Sequence, residues 1–180
     1  MKFPQLIQRA ALIAGVAIVT GLGGNAAQAQ SRNCIDTLAG MPDASRFVDV
    51  VSRSHLVEDL RQVGPFTLFV PTNAAVSEVT PALINVLFPM GASGEGGTAD
   101  PILAPAAINA HILEGRYTSA ALEPGLTMPA RTRAGNTIEV ANLGGKVTLR
   151  ATNGAVANVV RGDIPCSNGV IHMIDRSLVR

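Results

Sequence analysis

Residues 66–76 read FTLFVPTNAAV, and we expect the rest of the chain to be organised around this stretch. Its first five residues are aromatic, β-branched or aliphatic, carry no charge and follow the breaker Gly64-Pro65, which is typical of a strand buried on both faces. Pro71 has no N–H to donate and therefore ends the strand, and Thr72 or Asn73 can cap a helix that follows. The stretch predicts a central strand, a sharp corner and a short capped helix.

Apolar residues at helical spacing precede and follow this strand. Three short apolar stripes predict three helices between residues 33 and 62, and Thr80-Pro81 predicts the start of a fourth. A further helical pattern runs from Ala104 to Leu113 and ends before Gly115. The part of the chain before residue 115 is therefore expected to be mainly helical around one strand.

The last third of the chain has strand patterns instead. Asn153-Gly154 is a strong hairpin signal between two of the predicted strands. These predicted strands span residues 137–140, 146–151, 155–160 and 170–174. Because the strands follow the helical half and do not alternate with helices, the pattern predicts an α+β domain.

The N-terminal residues have the order of a secretory signal peptide. Lys2 and Arg9 precede an apolar run from residue 10 to 19, and small residues follow up to Ala27-Gln28-Ala29. We expect cleavage after Ala29, which makes 1–29 the signal peptide and 30–180 the exported domain, either secreted or periplasmic. An uncleaved anchor is the alternative, although the apolar run is short for a membrane span.

The two cysteines fit an exported protein. Cys34 and Cys166 lie near the two ends of the predicted domain, and an oxidising compartment allows a disulfide to persist. We predict that they pair, while two separate buried thiols are the alternative.

Composition excludes one class of partner and marks one loop. Net charge is +1 and no basic cluster follows Arg9, so the chain lacks the electrostatic footprint of a nucleic-acid-binding protein. Residues 91–100 are rich in glycine and have no apolar period, which predicts a flexible exposed loop. The loop is either a tolerated insertion or a partner contact, with candidate contact residues Gly94, Glu95, Gly96 and Gly97.

Three motifs together resemble those of the fasciclin-like domain family. The first motif is carried by Thr67, Phe69, Pro71, Thr72 and Asn73, the middle one by His111 and Tyr117, and the last by Asn168, Gly169, His172 and Asp175. The chain departs from the family pattern at Val70, Val76, Ala110 and Ser177. The resemblance implies a single domain over residues 30–180, a β-sheet wedge or sandwich flanked by several short helices.

The same resemblance implies a non-enzymatic adhesion or interaction module. The partner would be a cell-surface or matrix protein or polysaccharide, contacted through the 91–100 loop and through residues 111–118, including Tyr117 and Thr118. No nucleic acid and no stable membrane span after cleavage are expected. The alternative function is a carrier for a small apolar ligand, with a cavity lined by Leu83, Leu87, Ile108 and Ile112.

Residues with catalytic or metal-binding chemistry are few. His55, His111 and His172 are far apart and have no metal-ligand spacing, and no Gly-x-Ser-x-Gly elbow is present. We therefore predict no catalytic residue, metal or cofactor. His111 is expected to be a core histidine beside Asn73 or Thr72, and His172 a structural or partly exposed strand residue.

Overall fold

The computed structural model describes residues 32–62, 64–89 and 97–180. The predicted signal peptide and cleavage site lie outside these residues. No helix among the described residues is long and apolar enough to cross a membrane. The observed architecture is a seven-stranded sheet flanked by short helices, which confirms the predicted α+β class.

The described residues form six short α-helices, and side chains cap several of them. Asn33 accepts a hydrogen bond from the Asp36 N–H at the start of the first helix, and Thr80 caps a helix that begins with Pro81. Single 3-10 turns cover Pro42–Ala44 and Ser119–Ala121. The helices are α1 (Cys34–Ala39), α2 (Ser45–Arg53), α3 (Val57–Arg61), α4 (Asn73–Ser77), α5 (Pro81–Leu87) and α6 (Leu103–Asn109).

The seven strands make one sheet in the order β2-β1-β7-β6-β5-β4-β3. All neighbours are antiparallel except β1 and β7, which are parallel. The two edge strands approach each other at an isolated bridge between Leu113 and Thr132, so the sheet is nearly closed and we call it the rolled sheet. The strands are β1 (Phe66–Pro71), β2 (Ile112–Glu114), β3 (Thr127–Arg131), β4 (Thr137–Leu143), β5 (Lys146–Ala151), β6 (Val156–Cys166) and β7 (Gly169–Ile174).

Strand β1 lies between two apolar cores, as its sequence predicts. Leu68 and Val70 pack with the helices on the outer face of the sheet, and Phe69 points into the rolled sheet. Residues from all seven strands contribute to this inner core, so opposite parts of the sheet face each other as in a sandwich. Thr72 caps α4 by accepting a hydrogen bond from the Ala75 N–H, which confirms the predicted corner and helix.

Three elements differ from the sequence-based prediction. The predicted helix from Ala104 to Leu113 ends at Asn109, and Ile112 and Leu113 belong to β2, because they pair with β1. Strand β3 was not predicted, since its sequence TMPAR contains a proline; as an edge strand it tolerates Pro129. Strand β6 extends to Cys166, with irregular register between Val159 and Ile164.

Candidate functional site

The first motif holds the two faces of the domain together. The buried Thr67 hydroxyl donates to the Gly115 carbonyl at 2.8 Å and accepts from the Tyr117 N–H at 2.9 Å. Asn73 accepts from the Arg46 N–H at 3.0 Å and donates to the Pro42 carbonyl at 2.8 Å. Thr67 therefore positions the segment that carries Tyr117, and Asn73 fixes the start of α2.

His111 is buried, as expected, and its hydrogen bonds go to residues other than Asn73 and Thr72. Its Nδ1 lies 2.8 Å from the Ala107 carbonyl and its Nε2 accepts from the Leu178 N–H at 3.0 Å, so the ring is neutral with the proton on Nδ1. Neither Asn73 nor Thr72 hydrogen-bonds to the ring. His111 lies just after the end of α6. Its Nδ1 therefore points back to the Ala107 carbonyl, one helical turn earlier, and its Nε2 faces the C-terminal segment.

The environment of His111 disfavours its charged form. Burial lowers the pKa of His111 from 6.5 to about 4, and the hydrogen bond to the Ala107 carbonyl only partly offsets this effect. A protonated ring would also lose the lone pair that accepts the Leu178 N–H. His111 is therefore a neutral structural histidine at neutral pH.

His172 joins β7 to the segment after β2. Its ring stacks on Phe69 at a centroid distance of 5.5 Å, its Nε2 donates to the Tyr117 carbonyl at 2.8 Å, and its Nδ1 accepts from the Asp163 N–H at 3.3 Å. Ile171 and Met173 face the helices instead, as strand alternation requires. The ring is buried, so His172 is structural and not partly exposed.

Asp163 fixes the 3-10 turn that follows Tyr117. Its carboxylate accepts hydrogen bonds from the Ser119 N–H at 2.8 Å and from the Ser119 hydroxyl. Burial alone would raise the pKa of Asp163, but the two hydrogen bonds from Ser119 outweigh it, so this pKa lies below its ordinary value. The ionised carboxylate therefore holds Ser119 to β6.

Ser119, Asp163 and His172 do not form a hydrolytic triad. The His172 Nε2 donates to a carbonyl and its Nδ1 accepts a backbone N–H, so the ring has no lone pair free to take a proton from Ser119. Among residues 32–62, 64–89 and 97–180, no group of three His, Cys, Asp or Glu side chains could hold a metal ion. The arrangement supports positioning and binding.

The last motif and the disulfide anchor α1 to the sheet. Cys34 and Cys166 are joined by a disulfide with Cα atoms 5.0 Å apart. Asn168 accepts from the Cys34 N–H at 2.8 Å and donates to the Leu60 carbonyl at 2.9 Å. A Cβ on Gly169 would lie 2.2 Å from a carbonyl oxygen of β1, so only glycine fits at this parallel pairing.

Asp175 is also structural. Its carboxylate accepts from the backbone N–H of Asn158 at 2.7 Å and from the side-chain amide of Asn158 at 2.9 Å. These bonds hold the end of β7 to β6.

The predicted loop contact is only partly within the described residues. Gly94, Glu95 and Gly96 lie outside them. Gly97 is buried, and its carbonyl accepts from the Arg53 guanidinium at 2.6 Å, which corrects its selection as an exposed contact residue. A Cβ there would lie 1.7 Å from the Pro89 carbonyl oxygen, so the packing of Gly97 beside α5 explains its burial.

Tyr117 and Thr118 lie elsewhere, at one open end of the rolled sheet. The Tyr117 side chain is 41% exposed, whereas its backbone is fixed by Thr67 and His172. Beside it is an apolar cleft of about 30 Å³, which we call the end cleft. It is lined by Phe69, Leu113, Tyr117, Thr118, Ser119, Ala121, Leu122, Met128, Val140, Val147 and His172.

The residues predicted to line a ligand cavity are not gathered into one. Leu87 and Ile108 line a cleft of about 50 Å³ next to His111, but Leu83 and Ile112 do not line it. Ile112 belongs to β2 and to the core beneath the helices, which the helical assignment did not predict. Pockets for drug-sized ligands span roughly 300–1,000 Å³, so neither apolar cleft has the volume of a carrier site.

Sequence reasoning missed the end cleft because its lining comes from segments far apart in the chain. Leu122, Met128 and Val147 carried no motif. Tyr117 was the one residue of the cleft that stood out in the sequence, since it is the single tyrosine of a chain without tryptophan.

Comparisons with known proteins identify relatives of this chain. A sequence model of the fasciclin domain matches residues 42–180. Protein sll1483 of Synechocystis is 30% identical over 166 residues, which cover 86% of this chain and 77% of that protein. Human periostin is 32% identical over 144 residues, which cover 80% of this chain but only 15% of periostin.

A solved structure shows the same fold. It is a FAS1 domain pair from the insect cell adhesion molecule Fasciclin I, with a TM-score of 0.60 and 20% identity. The match covers 84% of this chain and 52% of that one. From the domain match and the sll1483 relationship, the chain belongs to the fasciclin domain family.

Proposed function

We propose that this chain is an exported, non-enzymatic interaction module that contacts cell-surface or matrix material. The description of Fasciclin I as a cell adhesion molecule supports this class of function. The Cys34–Cys166 disulfide and the predicted signal peptide support export to the periplasm or the medium.

The observation that carries the proposal is the fixed exposure of Tyr117. Three side chains hydrogen-bond to the backbone of its segment. Thr67 accepts from the Tyr117 N–H, Asp163 accepts from the Ser119 N–H, and His172 donates to the Tyr117 carbonyl. An aromatic side chain presented on an ordered backbone loses little conformational entropy on binding, which is the property of a contact residue. We therefore place the contact surface at Tyr117 and Thr118.

The test is binding of the purified exported protein to its own cells. The wild type is compared with Tyr117→Asp and with Ile102→Asp, a control because Ile102 is 75% exposed and lies next to α6. We expect saturable binding that Tyr117→Asp weakens and Ile102→Asp leaves intact. Equal binding by all three proteins would place the contact away from Tyr117, and absence of binding by the wild type would contradict the function.

A further inference from the structure

The residues that follow β7 lie across one end of the rolled sheet. Residues 176–180 belong to no helix or strand, and we call them the strap. The Leu178 side chain is only 2% exposed and belongs to the inner core. Ile138 and Ala151 pair at the end of β4 and β5 away from the end cleft, and they line a second cleft together with Leu178. The strap therefore covers this end of the sheet with one buried side chain.

Two hydrogen bonds attach the backbone of the strap to the domain. The Leu178 N–H donates to His111 Nε2 at 3.0 Å, and the Leu178 carbonyl accepts from the Asn153 side-chain amide at 3.0 Å. Within the strap, the Ser177 hydroxyl accepts from the Val179 N–H at 3.3 Å. A histidine nitrogen and a side-chain amide thus hold the strap, together with the buried Leu178 side chain.

The strap is also a wall of the apolar cleft beside His111. Ser177 and Val179 line this cleft of about 50 Å³, and its other walls include Phe47 of α2 and Ile108 of α6. Val179 also lines the cleft at the end of the sheet. Departure of the strap would therefore widen both clefts and expose the apolar residues around His111.

The hydrogen bond from Leu178 requires a neutral His111 ring. Nδ1 donates its proton to the Ala107 carbonyl at 2.8 Å, so Nε2 has the single lone pair that accepts the Leu178 N–H. A proton on Nε2 occupies this lone pair and sets two N–H groups against each other. Even if the Ser177 hydroxyl, 3.4 Å away, accepts the new N–H, the Leu178 N–H has no acceptor left. Protonation therefore removes one of the two backbone attachments of the strap.

Among the described residues, no charged side chain lines the cleft that contains the His111 ring. Helices α5 and α6 contain no charged residue, and Arg53 of α2 is bound to the Gly97 carbonyl. Burial therefore dominates the environment of the ring and lowers the pKa of His111 to about 4. The other charged residues of α2, of the turn after α4 and of the strap are exposed, namely Arg46, Asp49, Glu78, Arg176 and Arg180.

We propose that the strap is released by acid: protonation of His111 detaches residues 176–180 locally and uncovers the apolar cleft between α2 and α6, while the sheet stays folded. Detachment exposes mainly Leu178 and Val179, whereas unfolding exposes both apolar cores, so local opening costs far less free energy than global unfolding. The inference goes beyond the proposed function, since it concerns a pH-dependent change of surface away from Tyr117.

Hydrogen exchange of the Leu178 amide, followed by NMR on the exported protein at pH 7 and pH 4.5, tests the proposal. Protection is expressed relative to the intrinsic exchange rate at each pH, and the Ile171 amide in β7 reports global unfolding. We expect Leu178 to be less protected than Ile171 at both pH values. Between pH 7 and pH 4.5 the protection of Leu178 should fall by up to about 60-fold, the limit set by a pKa of about 4 in the closed state and 6.5 in water.

Two variants separate the histidine from the strap itself. His111→Gln can make the same two backbone hydrogen bonds without titrating, so its Leu178 protection should stay nearly constant from pH 7 to pH 4.5. Asn153→Asp keeps the acceptor for the Ala155 N–H but loses the donor to the Leu178 carbonyl, so its strap should open more readily than that of the wild type already at pH 7. Circular dichroism melts check that both variants fold, and Asn153→Asp remains informative if His111→Gln does not.

Equal protection of Leu178 and Ile171 at pH 4.5 would show that the strap opens only with the whole domain, and this result would overturn the inference. An equal loss of Leu178 protection in the wild type and in His111→Gln would also overturn it, because the titrating group would then lie elsewhere. Unchanged protection of Leu178 in Asn153→Asp at pH 7 would show that the strap is not held as described. Binding to cells through Tyr117 is measured separately at neutral pH, so failure of this inference leaves the proposed function standing.

Discussion

Acidification should destabilise the fold through His111 before the carboxylates titrate. The pKa of His111 in the folded chain is about 4, below its ordinary 6.5, because the ring is fully buried. As pH falls, the unfolded chain takes up this proton first. Stability is therefore complete above pH 6.5 and is lost progressively as the pH falls from 6.5 to 4.

The size of the effect follows from the two pKa values. Between pH 7 and pH 4.5 the linkage relation gives a loss of about 2.5 kcal/mol in the free energy of unfolding, from this one group. The hydrogen-bonded carboxylates of Asp100 and Asp163 have lowered pKa values and contribute mainly below pH 4. These two carboxylates therefore contribute little between pH 6.5 and pH 4.5.

Urea unfolding of the exported protein at pH 7, 5.5 and 4.5 measures the loss. His111→Gln is the control, because its amide can hydrogen-bond to the same backbone groups but does not titrate. The variant is expected to be less stable at pH 7 and to change little down to pH 4.5. If the wild type and the variant lose the same free energy over this interval, His111 is not the titrating group and the burial argument fails.

Three further predictions concern the framework of the domain. Thr67→Val should cost about 1–3 kcal/mol in urea unfolding, since the Gly115 carbonyl and the Tyr117 N–H lose their buried partner, and an unchanged midpoint would contradict this. Reduction of the Cys34–Cys166 disulfide, which closes a separation of 132 residues, should cost about 5 kcal/mol on the loop-entropy model; equal melting of oxidised and reduced protein would refute it. Gly169→Ala should destabilise the fold strongly because its Cβ would lie 2.2 Å from a backbone oxygen of β1. Gly40→Ala is the control, because the nearest atom to its Cβ would be 3.5 Å away. Similar melting of both variants would show that β1 and β7 can separate.

Local signals in the sequence were enough to predict much of the fold. The apolar run before Pro71, the hairpin signal at Asn153-Gly154 and the N-cap at Thr80 each correspond to an observed element, because strand burial, turn conformation and capping depend on adjacent residues. Strand β2 was mistaken for helix because Ile112 and Leu113 continue a helical spacing. Only their pairing with β1, more than forty residues earlier, makes them a strand.

The site was less predictable, for the same reason. The pairing of His111 with Leu178 joins residues 67 positions apart, and the end cleft combines residues from β1 to β7. The sequence did place Tyr117 and Thr118 in one segment, and their role as contact residues stays a prediction. Leu122, Met128 and Val147 look like ordinary apolar residues in sequence, and only the fold brings them to the cleft beside Tyr117.

Photo-cross-linking in living cells tests the central claim most directly. A photoreactive amino acid replaces Tyr117 in one protein and Ile102 in a second, and the exported proteins are irradiated in place. Our account predicts abundant adducts with cell-surface material from position 117 and few from position 102. Adducts of equal yield and identity from both positions, or adducts from position 102 alone, would contradict the claim that this end of the rolled sheet is the contact surface.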